Sequence, residues 1–248
     1  MWLSGKKSKY KMQQLTKTKS VLYHLYPGII IAVCFIILAP VFMKYHYPAQ
    51  LGFLFAIIIA AIPVLVTHLL RTKKRERRKS VWELNGYKNK LSTGKLILYA
   101  LGLVVFAFLI WGMTQPVDKI ITDKIFSWLP NWYTVQDFNG YSKEAIQLTL
   151  IFNLLLNGFL APFVEELYFR GYLLPRMAAW GKWAFVLNAI LFSLYHFWQP
   201  YVYFTLILSL LPMTYLVWKT KDLRLGILTH SLLNVIGALL SFGLLMKK

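Results

Sequence analysis

Seven stretches of the chain are long and apolar enough to cross a lipid bilayer, and this constrains the fold more than any other feature. They cover residues 21–43, 51–70, 96–113, 145–164, 183–198, 201–218 and 225–246, and none contains Lys, Arg, Asp or Glu. A bilayer core takes about 20 residues of helix. Backbone N–H and C=O groups in hydrocarbon must bond within the protein, so only helices or closed barrels span it. These runs are continuous rather than alternating, which selects helices. The expected fold is therefore all-α, a polytopic membrane bundle of about seven transmembrane helices. Composition agrees: only 15% of the 248 residues are charged, against about 25% in soluble domains.

The net charge of +19 invites a nucleic-acid reading, but the cations are in the wrong places for one. They lie in the tail (Lys6, Lys7, Lys9, Lys11, Lys17, Lys19), in the run 71–79, and beside apolar runs at Arg170, Arg176, Lys182, Lys219, Lys221 and Arg224. That is the pattern of cytoplasmic flanks under the positive-inside rule. It makes the bilayer, with its anionic headgroups, the expected partner and excludes nucleic acid. A cytoplasmic N-terminus and an outer C-terminus follow, although Lys247 and Lys248 pull the other way. No short apolar core with a cleavage site follows the tail, so it does not read as a signal peptide. The connection 114–144 has balanced charge, and its Trp128, Pro130, Trp132 and Tyr133 read as an interfacial amphipathic segment. Cys34 stands alone inside an apolar run and reads as a packing residue. Three parts result: a basic cytoplasmic tail 1–20, N-terminal helices and connection 21–144, and a core 145–248.

Of nine acids, seven are placed in loops or at helix margins; Glu165 and Glu166 sit at the inner end of the fourth run. An ionisable side chain at membrane depth costs about 2.5–3.5 kcal/mol, so such a pair implies use. Glu166 and Arg170 are four apart and share a helix face. Glu165 points about 100° away and is free for another task. The bland alternative is that both acids anchor the end of their helix, with Arg170 as counter-ion. His24, His46 and His68 fall at helix ends. His196 and His230 are deeper, each four residues from a partner on its own helix face, Phe192 and Asn234 respectively.

These groups suit hydrolysis. A carboxylate can act as general base toward water, a histidine can hold that water, and an asparagine amide is a neutral oxyanion donor. Two histidines and a carboxylate (His196, His230, Glu165) can equally hold a divalent metal such as zinc, although no HExxH segment is present. No GxSxG elbow supports a serine nucleophile, and no pair of Asp residues lies in the membrane runs. Depth is the one mismatch. Glu165 and His230 fall in the cytoplasmic half, while His196 is about 20 Å into its helix at 1.5 Å per residue. A deeper start, a tilt or a break near Gly181 is required.

Three segments then resemble one family. Glu165-Glu166-Leu167-Tyr168-Phe169-Arg170 is similar to its EExxxR motif, Phe192-Ser193-Leu194-Tyr195-His196 to FxxxH, and His230-Ser231-Leu232-Leu233-Asn234 to HxxxN. Their order and placement on separate membrane helices, over about residues 145–246, resemble the CAAX-processing and bacteriocin-processing intramembrane proteases. The resemblance implies catalytic roles for Glu165 (activating water), His196 (holding it), and His230 with Asn234 (stabilising the oxyanion). It implies supporting roles for Glu166, Arg170 and Phe192. It leaves glutamate-type and metal-dependent hydrolysis open.

The expected function is an intramembrane endopeptidase cutting a membrane-associated peptide or protein near the cytoplasmic face. The location is the plasma membrane, and the composition has a bacterial character. A non-catalytic membrane partner of another membrane or cell-wall protein, as in bacteriocin immunity, is the alternative. A proton-relay transporter is disfavoured because no inverted repeat is visible.

Overall fold

The structure, a computed structural model, describes residues 12–134 and 137–245. Lys6, Lys7, Lys9, Lys11, Met246, Lys247 and Lys248 lie outside them. The described residues form helices and turns only. Helix α1 is Lys17–Lys44, α2 Ala49–Arg75, α3 Thr93–Lys124 and α4 Lys143–Arg176. Helix α5 is Ala184–Leu194, α6 Tyr203–Thr220 and α7 Leu223–Leu245. Six have the length and apolarity to cross a membrane; α5, even with its lead-in turn Ala178–Trp183, is shorter. The bundle has an apolar outer surface, with Ile37, Leu98, Val105 and Leu109 among many exposed large side chains.

Local sequence sets the helix ends. Thr16 caps α1 by accepting the Lys19 N–H at 3.2 Å, and Ser142 caps α4 by accepting that of Ala145 at 3.2 Å. Prolines shape the interiors. A proline lacks an N–H and crowds the preceding turn, and π-helical turns precede Pro63 (Ile57–Ala61), Pro162 (Asn153–Leu160) and Pro175 (Leu167–Leu173). The carbonyls left over are then used between helices. Tyr23, four before Pro27, accepts the Tyr168 hydroxyl at 2.9 Å. Gly171, four before Pro175, accepts the Gly86 N–H at 3.0 Å. Asn157, whose π-helical partner would be Pro162, accepts from Asn234 Nδ2 at 2.7 Å.

The chain runs up and down, so the N-termini of α1, α3, α5 and α7 share one end with the C-termini of α2, α4 and α6. Contacts close this end: Leu15 N–H bonds the Arg176 carbonyl at 2.9 Å, Arg176 pairs with Glu76 at 3.1 Å, and Asn89 N–H bonds the Lys221 carbonyl at 3.1 Å. Segments 17–19, 71–79, 88–95, 176–182 and 219–224 gather their cations here, and we call it the basic end.

Several expectations need correcting. Helix α3 does not stop near Met113 but continues eleven residues to Lys124. Lys119 and Asp123 pair at 2.8 Å across one turn, and Asp118 is buried, accepting the Thr205 hydroxyl at 2.6 Å. Helix α5 ends at Leu194, so 195–198 are not helical. His24 is not an end residue: it is fully buried, donating from Nδ1 to the Ser20 carbonyl at 2.6 Å and accepting from Asn188 Nδ2 at 2.9 Å. Of the connection's aromatics, Tyr133 packs into the bundle, its hydroxyl on the Phe197 carbonyl at 2.8 Å, while Trp128 stays exposed.

Candidate active site

Glu165 and Glu166 lie between two of the π-turns, on a helix that continues to Arg176 instead of ending beside them. The depth mismatch disappears as a result. Glu165 stands eleven residues before the end of α4, about 17 Å at helical rise. The chain reverses through Ala178–Trp183, where Gly181 adopts φ +52°. Helix α5 then climbs ten residues, about 15 Å, before His196 appears just past its end. The two side chains reach the same level from opposite directions.

Glu166 is fully buried. Its Oε1 accepts from Arg170 Nη1 at 3.0 Å and from His230 Nδ1 at 3.0 Å. Arg170 is also fully buried; it bonds Thr214 at 3.3 Å through Nη2 and stacks 3.8 Å over the Phe192 ring. An isolated buried charge is costly unless paired, and here the pair, a hydroxyl and a ring face share the task. Glu165 faces the other way, as the 100° offset requires. Its Oε1 accepts the Tyr195 hydroxyl at 3.2 Å, and its Oε2 stands 3.9 Å from His230 Nε2.

The partners fix the histidine tautomers. His196 Nδ1 is 2.8 Å from the Phe192 carbonyl, an acceptor only, so Nδ1 carries the proton and Nε2 is the free nitrogen. His230 Nδ1 faces a carboxylate, so it too is protonated, and a neutral ring presents the Nε2 lone pair toward Glu165. Two acceptors 3.9 Å apart do not bond each other; the gap fits one water donating to both. Asn234 is held by its Nδ2–H on the Asn157 carbonyl at 2.7 Å, and the amide's other acceptor, Asn157 Oδ1, is a long 3.5 Å away.

Glu165, His196, His230 and Asn234, with Phe192, all line one cavity of about 320 Å³ inside the bundle. Glu166 and Arg170 lie behind it. The structure thus brings the expected catalytic residues to one space and the supporting pair against them. Tyr195 and Thr214 were missed. Tyr195 lies within a motif at a position that any residue can fill, and Thr214 is one hydroxyl in an apolar helix. As placed, Glu165, His196 and His230 are not a ligand set: among the described residues no three His, Cys, Asp or Glu side chains converge on a metal position. The cavity has a direction within the bundle. It is lined by the bundle's middle and by the end away from the basic end, including Gln50, Phe138 and Gln199, and by none of the basic-end loops.

Residues 147–236 match the family model described as Rce1-like, type II CAAX prenyl endopeptidase. This segment of the chain is similar to the CAAX-protease family. The matched part is a little over a third of the chain; it runs from the fifth residue of α4 through most of α7 and contains Glu165, Glu166, Arg170, Phe192, Tyr195, His196, Thr214, His230 and Asn234. No curated protein and no solved structure matches the chain. Its long apolar helices make this a multi-pass integral membrane protein, and the matched segment is similar to a protease family.

Proposed function

We propose that the chain is an intramembrane endopeptidase that uses Glu165 to activate water against a peptide bond of a membrane-associated peptide or protein. The observation that carries this reading is the convergence of Glu165, His196, His230 and Asn234 from α4, α7 and the end of α5 on one buried cavity. A water donating to Glu165 Oε2 and His230 Nε2 turns its lone pairs toward the cavity. As it adds to the scissile carbonyl carbon, Glu165 takes its proton as general base. Negative charge develops on the carbonyl oxygen, where the Asn234 Nδ2–H is the donor, while neutral His230 keeps the second proton of the attacking water hydrogen-bonded to its Nε2. Glu166 holds the His230 ring in place through Nδ1. The tetrahedral intermediate then collapses: the C–N bond breaks and the proton on Glu165 passes to the leaving nitrogen. His196, with Nε2 unprotonated, accepts a substrate N–H. Tyr195 orients Glu165, and Arg170 with Thr214 orients Glu166. No step requires a metal.

The test compares membrane and secreted peptides, by mass spectrometry, from a null strain carrying wild type or Glu165→Gln. Peptides with one defined terminus, present only with wild type, support proteolysis. Identical peptide sets, with both proteins rescuing the null phenotype, establish a non-catalytic partner role instead.

A further inference from the structure

We infer that substrate enters the cavity from the end of the bundle opposite the basic end, as an extended segment whose backbone is met by Gln50 and Asn153. The inference rests on the endopeptidase reading above. Three observations carry it. First, no residue of the basic-end loops lines the cavity, which extends from Glu165 past Asn157 and Asn153 on α4 toward Gln50, Gln199 and Phe138. Second, Gln50 and Asn153 are only 5% and 7% exposed, and each has a side-chain oxygen with no hydrogen-bond partner among the described residues. A buried polar atom left unpaired is costly and calls for an explanation; both side chains line the cavity, and a peptide N–H is the donor each lacks. Third, among the described residues Glu165 is the only Lys, Arg, Asp or Glu side chain lining the cavity, and the rest of its polar lining is neutral amides, hydroxyls and the two histidines. Such a lining suits an uncharged backbone rather than a charged side chain. The basic end carries the cations, whereas the opposite end balances Lys44, Lys119, Lys124 and Lys143 against Asp118, Asp123, Asp137 and Glu144. Under the positive-inside rule the mouth then faces out of the cytoplasm. The substrate class is therefore an exported or outward-facing flexible segment of a membrane-anchored peptide.

Sidedness is tested in intact cells, in a Cys34→Ala background, with a membrane-impermeant methanethiosulfonate reagent. Ser209→Cys places a thiol inside the cavity, and Lys90→Cys places one at the basic end. Labelling of Ser209→Cys in intact cells, with Lys90→Cys labelled only after permeabilisation, is the expected result. Labelling of Ser209→Cys only after permeabilisation, or from neither side, overturns the entry path. Cleavage by the same variants in detergent, where sidedness is lost, tests the protease reading on its own. With the peptide that wild type cleaves, Gln50→Leu and Asn153→Leu should each raise KM about five- to tenfold, as for one lost hydrogen bond, with kcat little changed. An unchanged KM in both overturns the assignment of these two residues.

Discussion

Glu165 and Glu166 are adjacent in sequence and opposite in duty, and substitution should separate them. Glu166→Gln leaves Arg170 as a buried, unpaired cation, and breaking a buried pair in this way costs about 3–5 kcal/mol. The expected outcome is a large fall in melting temperature in detergent, with activity lost through misfolding. Glu165→Gln removes no counter-ion of Arg170 and should melt close to wild type. Tyr195→Phe deletes only the 3.2 Å hydrogen bond to Glu165. It should fold normally and slow cleavage about five- to tenfold, the effect of one hydrogen bond. Much of this was readable in the chain. The four-residue spacing of Glu166 and Arg170 announces their pair, and the 100° offset of Glu165 announces its separate exposure. Tyr195 was not readable. Its contact with Glu165 depends on α5 ending at Leu194, and no local sequence rule marks that end.

The helices meet closely where side chains are absent. Gly28 of α1 packs so tightly on the Tyr195 carbonyl that a Cβ there overlaps it. A Cβ at Gly226 would stand 2.5 Å from Glu166 Oε2. Gly226→Ala should therefore displace the carboxylate that His230 and Arg170 share, lowering both stability and cleavage, by about 1–3 kcal/mol in stability as for overpacking. At the basic end, Asp222 ties α7 to the loop before α3. It accepts the Leu91 N–H at 2.7 Å and pairs with Arg224 at 2.6 Å. Burial pushes its carboxyl up, but the Arg224 guanidinium and the backbone donors together outweigh this and hold it below the usual carboxylate range. A depressed carboxylate contributes stability above its unfolded value, about 3.9, and loses it as pH falls through the folded value. Asp222→Asn should thus lower the melting temperature at pH 7, and the difference from wild type should shrink below about pH 4. Apolar runs located the helices well. They failed at α3, because charged residues usually end a membrane run, whereas here Lys119 and Asp123 satisfy each other and Asp118 is buried against Thr205.

For the molecule as a whole, two asymmetries lie along one axis. Cations collect at one end, and the cavity reaches toward the other. The charge asymmetry is visible in sequence because positive flanks are local. The direction of the cavity is not, since it depends on how α2, α4, α6 and α7 pack together. The motifs identified the reacting groups without indicating from which side they are reached. The central claim is that Glu165 activates the attacking water, and it is tested most directly with purified protein in a bilayer. Wild type and Glu165→Gln, matched for melting temperature, are given the uncleaved peptide that wild type cuts. General-base loss slows a reaction by about 10²–10⁴-fold. A fall of that size in Glu165→Gln, with folding intact, is the result expected; cleavage at the wild-type rate would contradict the account.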